Sequence, residues 1–357
     1  MNKKPAQLAL AALSIATCFS ALASKPLVEE QSFELDNVET LQLSMDHAHI
    51  SFKDGERGEL KVTLKQDLRE GKPENCLHKI MHSKHGSKLK VSTGFDSPVN
   101  NGPCNVYREI EILADQTALL ILRMKQNHGS LSVDNFSTNK LALDITHSKL
   151  ELHTLHSDDS TLELKHTDAR INNIETKALV LKGAHGELNI RSLNASEVQL
   201  QWAHGDIAIE KNQVTSFDAQ QRHGDIRIDQ HLGQQLNLKN GHGHLAVKEA
   251  QVEMAELRNS HGSIDFTGSS RAINFSNSHG STHLKQQEIL FTQIKGKASH
   301  SSIALAIPKG SICDLNSDGV KNIQAELFRG AAACESSEKR GAVKLSSSHG
   351  KVKLTAL

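Results

Sequence analysis

His204-Gly205-Asp206-Ile207-Ala208-Ile209 and His223-Gly224-Asp225-Ile226-Arg227-Ile228 are one phrase written twice, 19 residues apart. Followed in both directions, the histidine keeps a strict 19-residue clock at His128, His147, His166, His185, His204, His223, His242 and His261. It recurs more loosely at His279, His300 and His349. A fixed period near 20 is the mark of a stacked repeat, in which each unit buries its inner face only against its neighbours. The residues three and five places after each histidine are apolar, as in Leu188 and Ile190, Ile207 and Ile209, Ile226 and Ile228, Leu245 and Val247. Such alternation reads as a half-buried strand. A second apolar pair follows at +13 and +15, as in Leu179 and Leu181 or Leu236 and Leu238, so two short strands are expected per unit.

The +8 residue is apolar in Phe136, Leu155, Ile174 and Leu193 and then becomes Asn212, His231, Ala250 and Ser269. A third inward corner is therefore expected in only part of the stack. An antiparallel meander would need hairpin turns between strands, whereas here the glycines follow the histidine directly. Repeated residue types in register suit a single-stranded parallel β-helix of the all-β class, with about 19 residues per coil and irregular β-rich ends. The seven periods from His128 to His261 predict roughly 34 Å of regular stack. An aromatic content of 3% fits a narrow aliphatic interior, and the absence of proline between Pro103 and Pro308 fits central strands that need every ladder N–H.

Residues 1–23 read as a secretory signal peptide: Lys3 and Lys4, an apolar run over residues 8–22, then Ala21-Leu22-Ala23 before Ser24. A lipoprotein reading would anchor the chain at Cys18, although Thr17 matches that signal poorly. No other stretch has the roughly 20 apolar residues of a spanning helix, so no transmembrane segment is expected in the mature chain. The remaining cysteines are Cys76, Cys104, Cys313 and Cys334, an even number that suggests two disulfides in an exported protein. Since the two pairs fall at opposite ends of the stack, Cys76 should join Cys104 and Cys313 should join Cys334. Formal charge is zero, with 41 basic and 41 acidic residues and no basic block, which argues against a nucleic-acid partner.

The organisation that follows is a leader at 1–23, a β-rich capping region at 24–127, regular coils at 128–300, and C-terminal coils with a cap at 301–357. Within the first region His47-Ala48-His49-Ile50-Ser51-Phe52 repeats the motif. Residues 69–87 read as a polar inserted loop with one helical turn.

On these motifs the chain resembles a bacterial family of adhesin-like proteins of the β-strand-repeat type, defined mostly by domains of unknown function. The family's hallmark, a small residue and glycine before an alternating apolar pair, corresponds to Gly205-Asp206-Ile207-Ala208-Ile209 and Gly224-Asp225-Ile226-Arg227-Ile228. Residues 33–52 and 303–308 look like the family's first strands and its late strand ending in proline. The resemblance covers residues 33–357 and implies the fold more than a function. Histidine where the family commonly carries serine or threonine is a departure.

Three chemistries are open to the repeated residues. The histidines share strand parity with outward residues, so they should form an exposed column of turn-forming imidazoles. The same column could hold Zn, Cu or Ni weakly at His185, His204, His223, His242 and His261, and His78, His82 and His85 form a second candidate cluster. Glu187, Asp206 and Asp225 align as paired carboxylates would for glycoside hydrolysis, yet they are repeat-equivalent, and no Gly-x-Ser-x-Gly motif occurs. The expectation is an exported, non-enzymatic β-helix scaffold or adhesin-like interaction protein, periplasmic or at the cell surface. It would need no cofactor, and its partner would be an envelope or surface component. The alternative is a periplasmic metal-binding protein using the histidine column, and a polysaccharide-active β-helix enzyme is the third reading.

Overall fold

The computed structural model describes residues 26–95, 103–117, 119–317, 325–330, 333–334 and 341–357. The leader and Cys18 lie outside the described residues. The strands are β1 (Leu27–Glu34), β2 (Thr40–Asp54), β3 (Glu59–Glu70), β4 (Lys79–His85), β5 (Lys88–Gly94), β6 (Asn105–Ala114), β7 (Ile121–Lys165), β8 (Asp168–Ala184), β9 (Leu188–His204), β10 (Ile207–His223) and β11 (Ile226–His242). They continue as β12 (Leu245–His261), β13 (Ile264–Gln286), β14 (Gln293–Ile307), β15 (Asp314–Ser317), β16 (Ala342–Ser347) and β17 (Val352–Ala356). One helical turn, α1 (Pro73–Cys76), precedes β4.

From β7 to β14 every strand is parallel to the next, and the 19-residue clock is the register from β7 to β12; it shortens to 18 within the β12–β13 pairing and lengthens to 21 between β13 and β14. Ile207 sits beside Leu188 on one coil and Ile226 on the other, and Phe217 beside Val198 and Leu236. The chain is a parallel β-solenoid. The coils up to β12 turn the +3, +5, +8, +13 and +15 side chains inward with few exceptions; in β10 these are Ile207, Ile209, Asn212, Phe217 and Ala219, all buried, together with Val214 and Gln221. A ladder of fully buried aliphatic side chains is what drives the stacking, at about 25 cal/mol per Å² of apolar surface removed from water.

Two expectations change. The two short strands per unit are one continuous 17-residue run from β8 to β12, because the corners bend the strand and interrupt its pairing for only one or two residues. The third corner also does not stop where its letters turn polar: Asn212 is 4% exposed, His231 1% and Ala250 1%. Backbone pairing with the coils on either side holds these three inward, but the row ends there: a register shift sets Gly268 opposite Ala250, and Ser269 is only half-buried.

The ends are irregular. At the N-terminal end β2 pairs with β7 on one side and with β5 and β6 on the other, while β1, β3 and β6 form an antiparallel layer. Residues 69–87 are more than a loop with a helical turn: after α1 the chain forms β4, which pairs antiparallel with β5 over Lys79 to His85. Since His82 and His85 lie on this strand and His78 is buried just before it, their helix-like spacing does not put them on one helical face. At the far end β14 carries both β16 and β17, and β15 pairs with β16. Disulfides join Cys76 to Cys104 and Cys313 to Cys334, each with a Cα separation of 5.5 Å.

Candidate functional site at the histidine corner

Each coil turns at the histidine, and from His47 to His279 the step uses a left-handed residue. In the earlier coils the histidine itself takes it: φ is 61° at His128, 52° at His147, 51° at His166 and 60° at His185. Histidine is among the non-glycine residues that tolerate this region. From His204 to His279 the step falls on glycine alone, with φ 111° at Gly205 and 120° at Gly224, whereas Gly129 and Gly186 share it with their histidines. No side chain fits there, since a Cβ on Gly205 would run into the carbonyl oxygen of Gly186. Adjacent corners are tied by the glycine N–H donating to the next histidine carbonyl, as Gly224 N to His242 O at 2.9 Å and Gly243 N to His261 O at 2.9 Å.

Two polar ladders complete the corner. Inside it, the residue two places before the histidine donates to the glycine carbonyl one coil back: Trp202 Nε1 to Gly186 O at 3.0 Å, Asn240 Nδ2 to Gly224 O at 2.9 Å, Asn259 Nδ2 to Gly243 O at 2.8 Å and Asn277 Nδ2 to Gly262 O at 3.1 Å. Gln221 makes the same bond to Gly205, and in the first coil Gln126 bonds the Ala48 carbonyl. Outside it, carboxylates accept backbone N–H groups across coils: Glu187 N donates to Asp168 Oδ1 at 3.1 Å, Asp225 N to Asp206 Oδ1 at 2.9 Å, and His244 N to Asp225 Oδ1 at 2.7 Å. A buried carbonyl left without a partner costs about 1–3 kcal/mol, so the inner ladder holds the turn, while the outer bonds lie in solvent and tie one coil to the next. The inner ladder was not anticipated, although its signal is written in the repeat: Gln126, Trp202, Gln221, Asn240, Asn259 and Asn277 all stand at the same offset.

The imidazoles form one column. Ring centroids are 4.6 Å apart for His185 and His204, 4.7 Å for His204 and His223, 4.8 Å for His223 and His242, and 4.6 Å for His242 and His261, with planes within 9° of parallel. The column continues through His279 and His300 to His349 and extends at its other end from His128 to His47. Partial desolvation, and then the charges of His166 and His128, hold His147 below the ordinary imidazole range. Desolvation acts likewise on His204, followed by His185, His223 and Arg222. His47 is lowered by desolvation and by His128, with Asp46 opposing. At these three positions the fold therefore disfavours the protonated ring.

The stacking bears on metal chemistry. An imidazole lone pair lies in the ring plane, so parallel rings offer parallel lone pairs that do not converge on one ion at the 2.0–2.1 Å a Zn–N bond requires. Two neighbours would have to rotate out of the stack to share a metal. Among the described residues no three His, Cys, Asp or Glu side chains gather as a metal-holding group. The carboxylates singled out for hydrolysis are repeated turn groups: Asp206 and Asp225 hold backbone N–H groups of the next coil, and Glu187 stands in the same column. Ser, His and Asp do meet near β13, where Ser263 Oγ lies 2.6 Å from His244 Nδ1 and 2.9 Å from Asp265 Oδ2, and Asp265 Oδ1 lies 2.9 Å from His283 Nδ1. The carboxylate here binds the serine and the other histidine, so His244 is not oriented as a base in the manner of a triad.

A long β-solenoid whose corners repeat a histidine column, with polar ladders running over successive coils, defines a class of repeat scaffold. The chain belongs to the Toastrack DUF4097 family, whose model matches residues 38–301. It is similar to a solved structure described as a candidate lipid-binding protein from Parabacteroides distasonis, at 10% identity and a TM-score of 0.29, covering 93% of this chain and 97% of that one. It is also similar to candidate adhesins from Parabacteroides merdae (10% identity, TM-score 0.28, coverage 93% and 97%) and Bacteroides fragilis (12% identity, TM-score 0.20, coverage 93% and 97%). None of the curated proteins matches the chain.

Proposed function

We propose that this chain is an exported, non-enzymatic β-solenoid of the cell envelope that acts as an adhesin-like interaction scaffold, with an envelope or surface component as its partner. The observation that carries this reading is repeat equivalence. Catalysis calls for unlike groups in unlike environments, whereas the histidines recur along the whole column, the carboxylates from Asp168 to Asp225 and the inner amides from Gln221 to Asn277, each in like settings over successive coils. Their bonds hold the turn. Long flat faces remain for contact, as in other solenoids. The leader at residues 1–23 and the two disulfides support export into an oxidising compartment. Among the described residues no helix is long and apolar enough to cross a membrane.

The test is sedimentation of the purified protein with isolated envelope fragments, beside an assay for release of reducing sugar from polysaccharides. Saturable retention without sugar release is the expected result. Turnover of a glycan, or no retention, would overturn the reading.

A further inference from the structure

The chain is formally neutral, but its C-terminal coils present one face with a different balance. Lys295 of β14 stands directly opposite Lys344 of β16, and both are exposed. Directly opposed like charges destabilise a sheet unless something neutralises them. Among the described residues neither lysine has a carboxylate within ion-pair distance. Glu256, two coils away in the same row, is taken by Arg258, and Asp314 of β15 stands beside Ala342, diagonal to Lys344. Lys297, also exposed, lies between Ser276 and Ser346 in the adjoining row, and His279, His300 and His349 edge the face. The surface thus offers ammonium groups, hydroxyls and imidazoles in a flat array.

At the other end of the same strand run, the corner leading into β14 exposes two consecutive aliphatic side chains, Ile289 and Leu290, each 46% accessible. Arg329 Nη2 donates to the Ile289 carbonyl at 3.1 Å and so brings exposed Phe328 to this corner. A single exposed aliphatic residue needs no explanation, but aliphatic and aromatic side chains gathered beside a basic face are the two elements of interfacial lipid binding.

We infer that the face of β14 and β16, with the Ile289–Leu290 corner beside it, docks on an anionic phospholipid surface. Headgroup phosphates neutralise Lys295, Lys297 and Lys344, and the corner enters the headgroup region. The apolar corner favours a bilayer over a soluble polyanion, which would use the basic rows alone. This names a partner for the interaction role proposed above and rests on that reading.

Flotation of the purified protein with phosphatidylcholine vesicles, with and without phosphatidylglycerol, tests it. Binding should require phosphatidylglycerol and weaken with salt. Lys295→Gln with Lys344→Gln should weaken it about 25-fold, about fivefold per lysine from the contribution of one basic residue near an anionic surface. Ile289→Ser with Leu290→Ser should weaken it at every salt concentration, and both variants should melt as the parent does. Absence of flotation on phosphatidylglycerol, binding indifferent to both pairs of substitutions, or capture by dextran sulfate without flotation would overturn the inference. Retention by envelope fragments without vesicle binding would overturn this inference alone; loss of both would overturn the proposed function as well.

Discussion

His231 stands in the third corner of β11 with 1% of its surface exposed and with neither ring nitrogen hydrogen-bonded. Its register partners are Asn212 and Ala250, its nearest aromatic neighbour is Phe217 at 6.1 Å between ring centroids, and no charged group offsets its burial. Desolvation pushes its pKa down to about 4 from an ordinary 6.5. A group depressed in this way contributes stability that is fully present above pH 6.5 and is lost as pH falls toward 4, since the unfolded chain takes up the proton first. The loss comes to about 2 kcal/mol at pH 5 and about 3 kcal/mol at pH 4. Replacing His231 by Leu, the residue type that Leu193 supplies in the same row two coils back, removes both the proton site and two unsatisfied nitrogens. The variant should be more stable than the parent at pH 7 by roughly 1–3 kcal/mol, and the gap should widen by about 3 kcal/mol on going to pH 4. Urea denaturation of both proteins across that range measures it. Parallel pH profiles, or a variant less stable at pH 7, would refute the reasoning.

Truncating Ile226 to Ala should cost about 2–5 kcal/mol, while Arg227→Ala, one residue on and exposed, should leave the urea midpoint nearly unchanged. Asn259→Leu should cost about 1–3 kcal/mol by leaving the Gly243 carbonyl unpaired in the corner, read as a lower melting temperature without loss of β-sheet signal. Substituting His147 and His204 by Ser should make melting less sensitive to acid between about pH 7 and pH 5, the ordinary histidine range, because each is lowered in the fold and loses its contribution as pH falls. An unchanged pH profile would make the column electrically inert.

What could be read from the letters was whatever the repeat enforces. The histidine clock is the strand register, and alternation around Ile207 and Ile226 identifies the inward face because a one-residue slip would turn every side chain outward. His47 shows the same logic: its motif was visible before its ring was known to stack on His128. The third corner was misjudged because Asn212 and His231 are polar letters at a position that neighbouring coils hold inside at a desolvation cost. Composition cannot signal a site the backbone compels. The ladder of Trp202, Asn240, Asn259 and Asn277 was overlooked for a related reason: its role depends on a carbonyl aimed inward by the left-handed glycine, which becomes apparent only when the turn is built. Residues 69–87 carry no repeat, and β4 depends on non-local pairing with β5. The basic face likewise arises from strands β14 and β16, far apart in the chain, so no run of lysines announces it.

In-register stacking underlies the corner, its ladders and the binding faces alike, and cysteine cross-linking measures it directly. Asn189 and Ala208 are register partners on adjacent coils, within the roughly 4.4–6.8 Å Cα range that a disulfide spans. Asn189 and Arg227 are two coils apart, about 9–10 Å at the strand spacing. Mild oxidation of Asn189→Cys with Ala208→Cys should give the intramolecular bridge by peptide mapping, and Asn189→Cys with Arg227→Cys should not. A bridge in the second pair but not in the first would contradict the parallel solenoid.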